Sequence, residues 1–211
     1  MITIIPSIAS ADQLRLSDEL ARLGDTPFLH IDIEDGNFLP NITFGMKTVR
    51  AVTNATAAAT DAHLLVTNPA DYLEPLSRCG VGRVCFHIEA APYPADLLNR
   101  IRRYGMTAGL AFNFKTSVRE ALPFLSSLDY VLIMTSEPDD GECLFCEAIL
   151  DKIREARALL PPHISVWTDG GVGEAQLPLV AEAGADTVIM GRAVWQAADP
   201  AAQIRRLEAM Y

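Results

Sequence analysis

No stretch of this 211-residue chain is apolar for long enough to cross a bilayer. The opening residues, Met1-Ile2-Thr3-Ile4-Ile5-Pro6, lack the basic segment and extended apolar run of a secretory signal, so a cytoplasmic location is expected. Positive charge is also short. Lys and Arg number 17 against 27 Asp and Glu, a formal net charge of −10. Such a chain repels nucleic-acid phosphates and anionic lipid, and neither nucleic acid nor membrane is an expected partner. A small anion is not excluded, because a local site can oppose the global sign. Cysteines are few: Cys79, Cys85, Cys143 and Cys146. Without a signal they are expected as reduced thiols. Cys143-Leu-Phe-Cys146 has the spacing of a redox pair or half a zinc site, but a second pair is missing, so two ordinary thiols are the expected reading. No linker, low-complexity tract or charge block divides the chain, and no glycine-rich dinucleotide fingerprint follows the first strand.

What is present is an alternation. Short apolar runs at Ile2–Ile5, Phe28–Ile33, Ala62–Val66, Arg83–Ile88, Met106–Phe112, Tyr130–Thr135, Ile164–Thr168 and Thr187–Met190 read as strands. Between them lie helical patterns. Asp12–Leu23 carries leucines at 14, 16, 20 and 23 and is stopped by Gly24. Others cover Gly45–Val52, Asn68-Pro69 through Arg78, Ala95–Tyr104, the region around Val118–Leu122, Ala148–Leu159, Ala175–Ala183 and Pro200–Met210. Strands apolar on both faces, each followed by a helix, predict a buried parallel sheet. Repeated over 1–211, the pattern predicts an α/β protein built as one (β/α)₈ TIM barrel.

Chemistry in such a barrel gathers at the C-terminal strand ends. There the second strand reads His30-Ile31-Asp32-Ile33-Glu34, with polar residues alternating onto one face. The third carries Asp61-Ala62-His63, and the seventh ends Trp167-Thr168-Asp169-Gly170-Gly171. Taken singly, a strand histidine is usually a hydrogen-bonded core residue, and a strand-end aspartate is often a helix cap. Together, His30, Asp32, His63 and Asp169 can converge in the barrel mouth. Two imidazoles and two carboxylates suit one divalent metal ion, zinc first, with manganese, iron or cobalt as alternatives.

These segments carry a resemblance. Pro6-Ser7-Ile8-Ala9-Ser10, the run HIDIEDGNFLPN from His30 to Asn41, DAHLLV from Asp61 to Val66, the stretch around Asn113 and WTDGGV from Trp167 to Val172 occur in the order seen in the ribulose-phosphate 3-epimerase family. The chain resembles that family over nearly its whole length. The resemblance implies a barrel of the ribulose-phosphate-binding type and metal-dependent inversion of C3 in a pentulose phosphate. It implies His30, Asp32, His63 and Asp169 as metal ligands, Asp32 and Asp169 also as the two acid/base groups, and Ser7 as a hydrogen-bonding residue near the reacting centre. Homo-oligomers are expected on the same basis.

The chain departs from the family pattern in ways that bear on its substrate. A family methionine is Glu34 here and another is Leu65, leaving Met134. Glu34 either enters the mouth or turns to solvent where the strand ends. Asn37 stands where the family has histidine. The glycine-rich loop after the sixth strand becomes Glu137-Pro138-Asp139-Asp140-Gly141-Glu142, in which only Gly141 survives. Four acidic residues there are a poor environment for a phosphate dianion. Gly170, Gly171 and Gly191 remain at the usual phosphate position of the fold. Arg192 replaces the serine after Gly191, and either grips phosphate or pairs with the acidic loop. His87 and Glu89, in Phe86-His87-Ile88-Glu89-Ala90, are candidates for shaping the site, whereas His163 reads as structural. Three functions follow: an epimerase of ribulose 5-phosphate or a close relative, an enzyme of another sugar phosphate such as allulose 6-phosphate, or a non-catalytic binding paralogue.

Overall fold

The computed structural model describes residues 2–137 and 144–211. Gly141, Cys143 and most of the acidic segment lie outside the described residues. Eight strands run parallel: β1 (Thr3–Pro6), β2 (Phe28–Glu34), β3 (Ala59–Leu65), β4 (Arg83–His87), β5 (Thr107–Phe112), β6 (Tyr130–Met134), β7 (Ser165–Asp169) and β8 (Thr187–Met190). Their order is β1-β8-β7-β6-β5-β4-β3-β2, and a parallel bridge between Ser7 and His30 brings β1 against β2 to round the sheet into a barrel. The β1–β2 seam is the thinly paired one. There the Ile4 amide donates to the Glu208 carboxylate of the final helix at 2.9 Å, so a side chain supplies an acceptor from outside the sheet.

The outer layer comprises α1 (Leu16–Arg22), α2 (Met46–Ala55), α3 (Leu73–Arg78), α4 (Pro94–Arg103), α5 (Leu150–Leu159), α6 (Leu177–Ala183), α7 (Arg192–Trp195) and α8 (Pro200–Glu208). Each turns an apolar stripe inward. In α4 this is Leu97, Leu98 and Ile101, and a fully buried side chain of this kind stabilises by roughly 1.5–3 kcal/mol. Proline opens α4 and α8, where its missing N–H is harmless, and the Asp199 carboxylate caps α8 by accepting from the Ala202 amide.

Period-2 alternation divides the apolar residues between two cores. Outward-facing residues such as Ile31, Leu64, Phe86, Leu110, Val131 and Val166 pack under the helices. Inside the barrel are Ile5, Cys85, Ala111, Tyr130, Leu132, Met134, Trp167 and Ile189. Tyr130 stacks on Trp167 with ring centres 4.2 Å apart. Gly109 on β5 makes room for it, since a Cβ there would overlap the Tyr130 ring.

Three local expectations are corrected. The first helix begins at Leu16 rather than Asp12, because the Asp12 carboxylate accepts from the Leu14 amide and folds a turn first. Leu14 is consequently 96 % exposed and no part of the buried stripe. Asn68-Pro69 opens a short 3₁₀ turn, Pro69–Asp71, ahead of α3 rather than one helix through Arg78, and the Asn68 side-chain amide donates to the Asp71 carboxylate. The β5–β6 crossover is a 3₁₀ stretch, Val118–Ser127, interrupted by Pro123, which cannot donate to an α-helical ladder.

Candidate metal centre and active site

The strands deliver the four side chains to one point. His30 and Asp32 project inward from β2, and Asp32 lies in register with His63 on β3. Asp169 ends β7, in register with Met134. The result is a cluster of His30, Asp32, His63 and Asp169 whose ligand atoms all lie within 4.8 Å of one another. The His30 Nε2 atom is 3.1 Å from Asp32 Oδ1 and 3.6 Å from Asp169 Oδ2. The His63 Nδ1 atom is 3.2 Å from Asp32 Oδ1 and 3.3 Å from Asp169 Oδ2. Both histidines are 0 % exposed and Asp32 is 8 % exposed.

A second tier of hydrogen bonds holds these side chains. His30 Nδ1 is 2.6 Å from Asp61 Oδ2, and the Tyr130 hydroxyl donates to Asp61 Oδ1 at 2.6 Å. With His30 Nδ1–H directed at Asp61, the Nε2 lone pair turns towards the cluster. Ser7 donates to Asp32 Oδ2 at 2.7 Å. Its backbone is fixed by the Met190 carbonyl, which accepts its amide, and by the Trp195 indole of α7, which donates to its carbonyl. His63 Nε2 meets His87 Nε2 at 2.9 Å, and His87 Nδ1 faces Glu89 Oε2 at 3.3 Å.

The electrostatics fit a cation site. Burial lowers the His30 pKa, yet Asp32 and Asp61 outweigh it and hold the imidazole well above its usual range. For His63, too, burial is outweighed by Asp169 and Asp32, and the pKa is raised. Burial raises Asp32, but His30 and His63 hold it well below the usual carboxylate range. The two carboxylates therefore demand positive charge at this point, from protons on the imidazoles or from a divalent cation in their place. Two buried imidazoles and two carboxylates, with the remaining nitrogens oriented by hydrogen bonds, meet the donor chemistry of such an ion. His87 is different: burial pushes it down to about 4, and it is neutral at physiological pH.

Beside the cluster opens a cavity of about 380 Å³. Ser7, Asp32, Met134, Leu65 and Asp169 line its inner end, and Gly170, Gly171, Gly191 and Arg192 also contribute. Glu34 lines it as well, half-buried, so of its two expected orientations the mouth is the one observed, although the four-residue cluster does not include it. His87 lies behind His63. Gly170 has φ of +111°, and a Cβ there would strike Ser136, as one on Gly191 would strike Ser10. These glycines let neighbouring βα loops approach closely at the cavity wall. Sequence reading missed the roles of Tyr130 and Asp61 behind His30 and of Ser10, Ser136 and Gln176 in the cavity wall, of which only Asp61 carried a signal, two residues before a ligand histidine. His163 sits exposed in the turn before β7.

A model described as the ribulose-phosphate 3 epimerase family matches residues 3–195. A ribulose-phosphate 3-epimerase of Mycobacterium leprae is 36 % identical over 207 residues, covering 97 % of this chain and 92 % of the relative. One from Bacillus subtilis is 35 % identical over 205 residues, 94 % of each chain. A relative from Oryza sativa, 36 % identical over 97 % of this chain and 92 % of its own, is a cytoplasmic isoform of that enzyme. Among solved structures, KGPDC from Streptococcus mutans superposes with a TM-score of 0.72 at 14 % identity over 99 % of this chain and 96 % of its own. Orotidine 5'-phosphate decarboxylase from Pyrococcus horikoshii does so at 0.62 and 16 %, covering 97 % of each chain. At such identities the likeness speaks to the fold. Among the described residues no helix is long and apolar enough to cross a membrane.

Proposed function

Because this chain belongs to the ribulose-phosphate 3-epimerase family, we propose that it inverts C3 of a ketose phosphate, ribulose 5-phosphate and xylulose 5-phosphate being the leading pair. The observation that carries this reading is the meeting of two carboxylates, Asp32 and Asp169, at one buried two-histidine cluster that opens on a cavity. Epimerisation beside a carbonyl removes the C3 proton from one face and returns a proton to the other. It needs two acid/base groups flanking a planar ene-diolate. Asp32 and Asp169 stand on β2 and β7, which β1 and β8 separate around the barrel, so they approach a substrate from different sides. One carboxylate takes the C3 proton as the C–H electron pair moves into the C2–C3 bond and the carbonyl oxygen gains charge. The other, protonated, delivers a proton to the opposite face of C3. In the reverse direction the two exchange roles. His30, Asp32, His63 and Asp169 would hold a divalent cation, zinc in the first instance, which would supply positive charge for the oxyanion. The Ser7 hydroxyl occupies Asp32 Oδ2 and orients the other oxygen toward the histidines.

The phosphate end motivates a second reading, another sugar phosphate such as allulose 6-phosphate. Arg192 lies at the cavity with Gly170, Gly171 and Gly191, a set suited to a phosphate dianion. The acidic residues from Glu137 to Glu142 replace a glycine-rich loop. Rates on ribulose 5-phosphate, allulose 6-phosphate and free ribulose, for wild type and Arg192→Ala, separate the readings. The wild type is expected to prefer one phosphate strongly, and the variant to lose that preference through a raised KM. Equal rates on phosphorylated and free sugar would overturn the phosphate assignment.

A further inference from the structure

Resting on this reading of the metal centre, we propose that Glu89 is a positioning residue that acts through His87 to fix the proton of His63 on Nε2, so that His63 presents an Nδ1 lone pair to the ion. The two histidines of the cluster use opposite nitrogens. His30 faces it with Nε2 and His63 with Nδ1. For His30 the neighbouring carboxylate of Asp61 sets the proton directly. Behind His63 there is no carboxylate among the described residues. Its Nε2 meets another imidazole nitrogen, His87 Nε2, at 2.9 Å. The rings are inclined by only 25° with centres 5.0 Å apart. That separation nearly equals the 2.9 Å contact plus the two ring radii, so the rings meet edge to edge and share one proton.

A bond between two imidazoles does not say which ring donates. The far end of the chain decides it. His87 Nδ1 faces Glu89 Oε2 at 3.3 Å, and an ionised carboxylate only accepts. Nδ1 of His87 therefore carries the proton. Its Nε2 is then a lone pair, His63 Nε2–H donates to it, and Nδ1 of His63 is left for the ion. Glu89 is itself pinned, because Oε1 accepts from the Asn113 amide at 2.9 Å. The nearby Lys152 ammonium holds that segment by donating to the Asn113 and Phe114 carbonyls at 2.7 and 2.8 Å. Phe38, from the loop after β2, packs on the His87 ring with centres 4.8 Å apart and limits its rotation.

The Asn113 amide makes Glu89→Gln a directional test. It needs an oxygen acceptor, so the glutamine turns its NH₂ towards His87 Nδ1. That reverses every proton in the chain and leaves an N–H of His63 pointing at the metal position. Glu89 is partly exposed, so the nearly isosteric change spares the core. Zinc affinity is measured by chelator competition on wild type and Glu89→Gln, and long-range proton–nitrogen NMR of the zinc-loaded proteins reads each histidine tautomer. The expected result is Nε2–H at His63 in wild type, with zinc affinity about tenfold to a hundredfold lower in Glu89→Gln. His87→Gln, whose side-chain oxygen can accept from His63 Nε2, is expected to restore affinity when added to Glu89→Gln. Equal zinc affinity of Glu89→Gln and wild type, no restoration by His87→Gln, or a wild-type His63 protonated on Nδ1 would overturn the relay and leave the metal centre standing. A wild-type protein that takes up no zinc, manganese, iron or cobalt would overturn the metal centre and the relay with it.

Discussion

Replacing Tyr130 with phenylalanine removes one oxygen from the middle of the barrel and leaves the ring that stacks on Trp167. The lost hydroxyl donates to Asp61 Oδ1 at 2.6 Å, and both residues are at most 1 % exposed. The site is closed to solvent in the wild type, so the substitution leaves the Asp61 carboxylate with one donor fewer. Hydrogen bonds to charged groups contribute roughly 1.5–3 kcal/mol. In a protein of this size each kcal/mol moves Tm by about 2–4 °C, so Tyr130→Phe is expected to lower Tm by about 3–12 °C. The overlap of ring positions adds no cavity cost beyond a hydroxyl. Urea and thermal unfolding followed by circular dichroism measure the change. A variant within about 0.5 kcal/mol of wild type, the range of an ordinary surface substitution, would refute the view that Asp61 depends on this donor.

Asp35 accepts from the amides of Asn37, Phe38 and Thr67 and from the Thr67 hydroxyl, and these bonds hold its carboxyl well below its usual range despite the opposing effect of desolvation. A depressed folded-state pKa gives stability that is present above about pH 4 and lost as pH falls. Asp35→Asn should therefore lower stability at neutral pH and flatten its acid dependence, as urea midpoints between neutral and acid pH would register; an unchanged acid limb would count against the clamp. Ser7→Ala deprives Asp32 Oδ2 of its 2.7 Å donor. It should lower kcat about tenfold to a hundredfold with a smaller change in KM, as steady-state kinetics would reveal.

The metal cluster was legible because each strand writes its inward face with period 2. His30 and Asp32 alternate on one strand, Asp61 and His63 on the next, and Asp169 ends a third. What joins them was not legible. That His63 touches His87, or that Tyr130 reaches Asp61 across 69 residues of sequence, depends on barrel closure and on the neighbours each register selects. Tyr130 reads as the first apolar residue of a strand until Gly109 is seen to make room for its ring. Leu14 failed in the opposite sense. Its spacing fits a helix face, but a local aspartate turn took precedence over periodicity. Helix α7 is four residues long, too short for a period to show, and yet its Trp195 anchors Ser7. Around the phosphate end, the glycines were readable as glycines, but their contacts with Ser10 and Ser136 emerge only when loops from different βα units meet.

The central claim is that Asp32 and Asp169 carry the proton at C3, and it is tested most directly by the fate of that hydrogen. With ribulose 5-phosphate in deuterium oxide, the wild-type metal-loaded protein should place deuterium at C3 of the epimerised product, and Asp169→Asn, folded and of unchanged Tm, should place none. Epimerised product that retains its original hydrogen at C3, or an Asp169→Asn variant that exchanges at the wild-type rate, would contradict it.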